Sequence, residues 1–308
     1  MDIKPKIVVA GSSNTDMVVK VPHIPAPGET IMGTDFFTIP GGKGANQAVA
    51  AVRAGADVTF IACVSDDAFG TQSIENYRQD GIDTSCIKVQ PGTHSGIALI
   101  NVAADGENSI SVAPGANSHL LPEDIGRFAD AFKGAKLVLA QLEIPMDTVE
   151  AVAEAAWSEG IPFILNPAPG AEISAALMRK ITIITPNETE AAILTTRKKF
   201  TDEDIPVMAE ELYGRGVQTV IITLGSKGVY LKSDDFEELI SGYRVQAVDT
   251  TAAGDVFNGA LASALASGIP VKEAIGFAQK AAAISVTRMG AQPSAPFADE
   301  IVGFSGSL

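Results

Sequence analysis

The sequence predicts an α/β fold: a mostly parallel central sheet with helices on both faces, plus a small β-sheet lid. Three observations carry that expectation. β-prone runs recur as continuous apolar stretches, the pattern of strands covered on both faces. Helix-like segments lie between them, and such alternation points to a parallel sheet wrapped by helices. Two further β-prone segments have no helix to cover them.

In chain order, KIVVAG (Lys6–Gly11) is the first expected strand. The first uncovered segment follows at Asp16–Ile39, with Pro22, Pro25, Pro27 and Gly28 between its β-prone runs. A helix over Ala45–Ala54, a strand over Val58–Val64 and a helix over Ala68–Gln79 come next. The second uncovered segment, His94–Val112, reads as a hairpin around Ala104, Asp105 and Gly106. Strands are then expected at Lys136–Gln141, Pro162–Asn166, Ile181–Thr185 and Thr219–Gly225. Helices over Met146–Ser158, Thr189–Thr195 and Asp202–Arg215 separate them. Two Ala-rich helices, Gly254–Ser267 and Lys272–Thr287, are parted by SGIP, a helix stop followed by a proline start. The expected main domain is therefore residues 1–15, 40–94 and 113–308, and the lid is residues 16–39 and 95–112.

Composition bounds what this fold can do. The 308 residues suit one large α/β domain with an appendage better than two equal domains. Hydrophobic residues make up 46% and charged ones 19%, which supports a sizeable core and argues against global disorder. A net charge of −15 would repel nucleic acid and anionic membranes, so neither is an expected partner. Cys63 and Cys86 make neither a disulfide framework nor a metal spacing, and read as small buried hydrophobes. The start, MDIKPKIVVAGSSN, lacks a signal-peptide apolar core. No apolar run approaches the roughly 20 residues that span a bilayer, so a cytoplasmic protein is expected.

Four stretches carry candidate chemistry. In DTTAAGD (Asp249–Asp255) the small residues precede a helix, so the backbone N–H groups of Ala252, Ala253 and Gly254 lack intrahelical acceptors. With the helix dipole they suit an anion, and no bulky side chain keeps a phosphate oxygen away. Asp255 beside that anion would repel it unless it takes a proton from an attacking hydroxyl; an acid at a helix start also serves as a plain cap. The glycines of PGGKGANQA (Pro40–Ala48) likewise precede a helix, with Lys43 and Asn46 as polar groups. That spacing is neither a P-loop nor G-x-G-x-x-G, and a simple turn into the helix is the competing reading. NETE (Asn187–Glu190) follows a strand, where Asn187 and Glu190 suit either a capping box or water-mediated Mg²⁺. TLGSKGV (Thr223–Val229) either borders a nucleotide or makes a hairpin turn.

Together and in this order, GGKGAN, NETE, TLGSKG and DTTAAGDVFNGAL resemble the ribokinase-type (PfkB) carbohydrate kinase family, from about Val8 to Pro296. SSNTD (Ser12–Asp16), the GGKGAN form of the loop and QLEIP (Gln141–Pro145) are most similar to its ribose-phosphorylating members. The resemblance implies ATP-dependent phosphorylation of D-ribose at its 5-hydroxyl, with Asp255 as general base and Ala252–Gly254 as anion hole. It implies sugar contacts from Asn14, Asp16, Gly42, Lys43, Asn46 and Glu143, and ATP contacts from Asn187, Thr223, Gly225, Ser226, Gly228 and Gly254. Gln279 stands where the family often has a histidine near the adenine. Mg²⁺ near Asn187 and Glu190 is implied, as is K⁺ held by Asp249, Thr251, Ser285, Arg288, Gly290 and Ser294. A homodimer through the lid is implied too. Fructose, 2-keto-3-deoxygluconate and adenosine are the alternative acceptors within the family. A non-catalytic sugar-binding relative would lack the base or the anion hole. An NAD(P)-binding protein would need the dinucleotide fingerprint that GSSNTD does not match.

Overall fold

The computed structural model describes residues 4–306. Its strands are β1 (Lys6–Ala10), β2 (Asn14–Val21), β3 (Asp35–Gly41), β4 (Asp57–Ser65), β5 (Ile87–Gln90), β6 (Gly96–Ala103) and β7 (Asn108–Ala113). They continue with β8 (Leu137–Ala140), β9 (Phe163–Leu165), β10 (Ile183–Ile184), β11 (Thr219–Thr223), β12 (Gly228–Lys232) and β13 (Glu237–Ser241). The main helices are α1 (Lys43–Arg53), α2 (Ala68–Gln79), α3 (Pro122–Arg127), α4 (Met146–Ser158) and α5 (Ala175–Met178). Then come α6 (Glu188–Leu194), α7 (Ile205–Gly214), α8 (Ala253–Ala266), α9 (Val271–Ser285) and α10 (Ala298–Gly303).

Nine strands form the large sheet in the order β13-β12-β11-β10-β9-β8-β1-β4-β5. Pairing is parallel from β5 to β11, and only β12 and β13 join antiparallel. The expected both-faced burial is present, and β1 shows how it arises. Val8 and Ala10 enter the core shared with α4, α6 and α7, while Ile7 and Val9 enter the core shared with α1, α8 and α9. Successive side chains point to opposite faces of a strand, so a strand with helices on both sides must be apolar throughout. β5, β12 and β13 lie outside the strands expected from sequence. β5 and β13 are the two edges and β12 lies next to one; all three mix polar and apolar residues, so a search for continuous apolar runs passes over them.

The order of connections decides where a site can be. β1 leads through α1 to β4 on one side, whereas its other neighbour, β8, leads through α4 to β9. Their helices pack on opposite faces, so the chain segments leaving β1 and β8 diverge and open a crevice at the strands' carboxyl ends. Gly11–Asn14 and Gln141–Glu143 line that crevice's two sides by position.

The second sheet, in the order β3-β2-β6-β7, takes in both uncovered segments, with the hairpin of β6 and β7 turning through residues 104–107. Directly paired residues share a face. The register Asp16–Ala98–Val112 and Val18–Ile100–Ile110, with Phe37 opposite Val18, therefore puts Asp16 on the same face as a stripe of apolar side chains. Among these Phe37, Ile110 and Val112 are exposed. Cys63 and Cys86 are free and buried, as expected. Among the described residues, no helix is long and apolar enough to cross a membrane.

Candidate active site

The glycine loop is built to bring backbone against backbone. α1 begins at Lys43, two residues earlier than its alanines suggest, with Gly42 as its N-cap at φ 89°. A Cβ on Gly42 would stand 2.6 Å from Asn14 N, so only glycine lets the loop close on the segment after β1. Glu143, just beyond β8, joins both sides of the crevice. One of its oxygens accepts from the Ser12 hydroxyl (2.6 Å) and from Lys43 N–H (3.1 Å). Asn14 Oδ1 accepts from Asn117 Nδ2 (2.7 Å), and Asn117 Oδ1 accepts from Ser13 N–H (2.9 Å).

The charges here are coupled. Burial, with the Glu143 and Asp255 carboxylates adding to it, pushes Asp16 from 3.8 up to about 6, against the pull of Lys43. The Asp255 carboxylate holds Lys43 above the usual lysine range; burial opposes it, and Glu143, Glu190 and Asp16 assist. Lys43 thus stays cationic in a largely enclosed place.

α8 supplies the second half. Its N-cap, Ala252, sits at φ 58°, a left-handed conformation that non-glycine residues rarely adopt and that clusters at functional sites. The N–H groups of residues 252–255 precede the first intrahelical bond, from Val256 N to Ala252 O (2.9 Å). Ala253 N–H turns back to Thr250 O at 3.3 Å. The N–H groups of Gly254 and Asp255 lie in the first turn of α8, and all four residues line the cleft described below.

Asp255 is buried and held from α1: Asn46 Nδ2 donates to its Oδ2 and Gln47 Nε2 to its Oδ1, both at 2.9 Å. Asn46 Oδ1 is buried with no partner, an acceptor left open beside Asp255. Behind these lies a polar network that sequence reasoning missed. Gln47 also donates to Asn166 Oδ1 (2.9 Å), and Asn166 Nδ2 donates to Thr185 O (3.0 Å). Thr185 Oγ1 donates to Asn258 Oδ1 (2.6 Å), and Asn258 Nδ2 to Gly254 O (2.8 Å). The one local clue was Gln47 itself, a polar residue leading into the small apolar run Ala48–Val52 of α1.

Asn187, Thr223, Gly225, Ser226, Gly228, Gly254 and Gln279 all line one cleft of ≈ 680 Å³, together with Lys43, Glu190 and Asp255. Asn187, beyond β10, is bridged to Thr223 at the end of β11. Asn187 and Glu190 form a reciprocal capping box: Glu190 N–H donates to Asn187 Oδ1 (2.8 Å) and Asn187 N–H to Glu190 Oε2 (2.9 Å). Burial pushes the Glu190 carboxyl above its usual range, and the Asn187 N–H and Lys43 oppose that. The TLGSKG segment is a hairpin connection and a cleft wall at once. Gln279, on α9, donates from Nε2 to Ile240 O (3.3 Å). A second cavity of ≈ 370 Å³ lies at the crevice end and is lined by Asn14, Asn117 and Glu143.

Of the remaining candidates, Asp249 and Thr251 precede α8, Ser285 ends α9, and Arg288, Gly290 and Ser294 follow it. Asp249 accepts from Thr251 N–H at Oδ1 (2.9 Å) and from Gly290 N–H at Oδ2 (2.8 Å). Burial disfavours its charge, but hydrogen bonds from Thr251 and Gly290 outweigh that and hold its carboxyl below the usual range. Ser285 and Ser294 donate their hydroxyl hydrogens to Ala282 O and Ala291 O, which leaves their oxygens as acceptors. Arg288 is engaged by Glu300, so its guanidinium is committed away from this group. Among the described residues no cluster of three or more His, Cys, Asp or Glu could hold a metal ion. The donor set around Asp249 is one carboxylate with hydroxyl and carbonyl oxygens, which suits a hard monovalent cation better than a transition metal.

Comparison with known proteins places the whole chain. The pfkB family of carbohydrate kinases matches residues 4–298. A Haemophilus influenzae protein named ribokinase is 44% identical over 298 residues, covering 97% of each chain. A Salmonella typhi protein named deoxyribokinase is 39% identical over 291 residues, covering 94% of this chain and 95% of its own. The solved structure of Arabidopsis thaliana ribokinase complexed with ribose and ATP superposes with a TM-score of 0.91 at 33% identity, covering 98% of this chain and 100% of that one.

Proposed function

The chain belongs to the pfkB family of carbohydrate kinases, and from that premise we propose that it phosphorylates D-ribose at the 5-hydroxyl with ATP as donor. The observation that carries the reading is the Asn46–Asp255 contact at 2.9 Å, where the sugar-side loop and the helix-start anion site meet at one carboxylate. The sugar occupies the crevice beside Asn14, Asp16, Gly42, Lys43, Asn46 and Glu143, whose carboxylates and amides match a polyhydroxylated ligand. The triphosphate runs along the cleft from Gln279 to Lys43. Asp255 takes the 5-hydroxyl proton as that oxygen attacks in line, and the N–H groups at the start of α8 face the transferring phosphoryl group. Lys43 adds positive charge on the same side.

Mg²⁺ arrives with ATP. Glu190, with one oxygen outside its capping bond, and Asn187 are suited to hold it through water. Bound there, it neutralises charge on the phosphates. K⁺ fits among Asp249 and the oxygens of Thr251, Ser285, Gly290 and Ser294, with Arg288 contributing its carbonyl only. Its charge steadies the segment that leads into the anion hole.

A coupled assay of ADP release across D-ribose, 2-deoxy-D-ribose, fructose, 2-keto-3-deoxygluconate and adenosine tests the substrate. Ribose is expected to give the highest kcat/KM, by at least about tenfold over each, since committed polar groups reject analogues lacking the matching hydroxyl. A higher value for any other acceptor reassigns the substrate.

Asp16 makes the sugar site pH-dependent. Protonation near pH 6 removes an acceptor, so the sugar KM is expected to rise as pH falls below about 6. Folding stability moves the opposite way. A carboxyl raised from 3.8 to about 6 favours the protonated folded state, a contribution fully present below 3.8 and lost as pH rises through 6. Asp16→Asn should therefore raise Tm more at pH 7.5 than at pH 5, and an equal change at both would contradict the assignment.

The small sheet is a lid over the sugar, and its exposed apolar stripe of Phe37, Ile110 and Val112 pairs with a second copy in a cytoplasmic homodimer. Light scattering at micromolar concentration should give twice the chain mass of 31.9 kDa, and Ile110→Glu should give monomers.

A further inference from the structure

We infer that Gln47 is the positioning residue of the base, held in turn by Gln141, so that Asp255 is aimed by a two-glutamine chain anchored at the end of β8. The inference rests on the kinase reading above and extends it to side chains that touch neither sugar nor nucleotide.

Gln47 is fully buried on α1, and both hydrogens of its amide are committed, to Asp255 Oδ1 and to Asn166 Oδ1, each at 2.9 Å. An ionised carboxylate only accepts, so the nitrogen of Gln47 must face Asp255. Its oxygen then faces Gln141, which must present its own nitrogen, and Gln141 Nε2 does donate to Gln47 Oε1 at 2.7 Å. Gln141 is also fully buried, and this orientation leaves its Oε1 with no partner. Each amide is thus turned by the one before it, and the chain starts at the carboxylate. The orphaned oxygen marks the end of that chain: turning either amide to rescue it would set an oxygen against an oxygen at the Gln47 end.

The other carboxylate oxygen is held by Asn46, whose own oxygen is open toward the site. Asn46 is shared with the sugar on the reading above, so its grip on Asp255 changes when substrate arrives. Gln47 has no such second task. It keeps Oδ1 in place while Oδ2 turns to the incoming hydroxyl, and Gln141 keeps Gln47 from rotating away.

The test uses the full chain with ribose and ATP, comparing Gln47→Met, Gln141→Met and Asp255→Asn with the unaltered protein. Gln47→Met keeps length and removes the donor; kcat is expected to fall roughly 10- to 100-fold, with the sugar KM changed less than about threefold. Gln141→Met should lower kcat less, in the same pattern, with Tm changed by less than about 2 °C, because the orphaned acceptor it deletes offsets the one it creates at Gln47 Oε1. A lower kcat at nearly unchanged Tm is an outcome that a purely structural role does not produce. Placed on Asp255→Asn, Gln47→Met should cost less than about threefold further in kcat, since its effect passes through the carboxylate. Should Gln47→Met not fold, Gln141→Met carries the same test. Unaltered kcat in the folded variants, a rise in KM alone, or full additivity with Asp255→Asn overturns the inference. Absence of ribose-dependent ADP release in the unaltered protein, or full turnover in Asp255→Asn, sinks instead the kinase reading on which it stands.

Discussion

Replacing Asp255 by Asn is expected to lower kcat by roughly 10²–10⁴, the usual worth of a general base, while the sugar KM stays within a few-fold. The two side chains are nearly the same size, and the pocket that receives them is made of amides. Asn46 and Gln47 both donate to Asp255, so one oxygen of the substituted amide keeps a partner. The amide nitrogen meets a donor where the carboxylate met one, and a side-chain turn is the only relief. The loss therefore falls on proton transfer and on base alignment, and not on the ground-state sugar contacts proposed for Asn14, Asp16 and Glu143. Steady-state kinetics with ribose and saturating ATP measure it. A variant with near-normal kcat would remove Asp255 from the reaction, and a loss confined to KM would make it a binding residue.

The second large effect is expected one helical turn beyond Asp255, at Gly259. α8 crosses α1 there, and a Cβ on Gly259 would stand 2.5 Å from Gln47 O, 2.6 Å from Ala50 Cβ and 2.8 Å from Ala51 N. Two of these three atoms are backbone, so no rotamer change makes room; the helices must part. Overpacking of this kind costs about 1–3 kcal/mol, and more where backbone must move. Asp255 lies one turn earlier on the same face of α8, while its partners Asn46 and Gln47 are on α1. Separation of the helices thus pulls the base from its donors, and a misplacement near 1 Å can cost about 10²-fold in rate. Gly259→Ala is expected to lower both Tm, by roughly 5 °C, and kcat, and Gly259→Leu to prevent folding. Gly276 on α9 is the control: a Cβ there meets nothing within 4 Å, and Gly276→Ala should stabilise by about 0.5–1 kcal/mol through helix propensity. Equal behaviour of the two alanine variants in thermal melts would contradict the packing argument.

Much of this was legible from the chain, for reasons that particular elements make plain. Ile7–Ala10 of β1 are apolar at every position because helices cover both faces, so the strand's class could be read locally. EELIS of β13 alternates at an edge, and IKVQ of β5 is half polar; neither stands out from a loop by composition. The start of α1 was placed at Ala45 because glycines argue against helix, whereas Lys43 N–H finds an acceptor in Glu143, 100 residues away, and the helix begins there. The left-handed turn at Ala252 and the bond from Ala253 N–H back to Thr250 were hidden for a similar reason, since a run of small residues does not disclose its own backbone path.

What the sequence by itself determined is the layered α/β class, the order of most strands and helices, and the two small-residue stretches at helix starts. These depend on hydrophobic period and on backbone freedom, which are properties of neighbouring residues. Only the tertiary structure decided that Asn46 and Asp255, 209 positions apart, share a hydrogen bond, and that Gln47 and Gln141 stand behind them. A buried amide carries no local sign of its partner. Its meaning is set by which donor or acceptor the packing of α1, α8 and β8 brings within 3 Å, and that packing belongs to the whole chain.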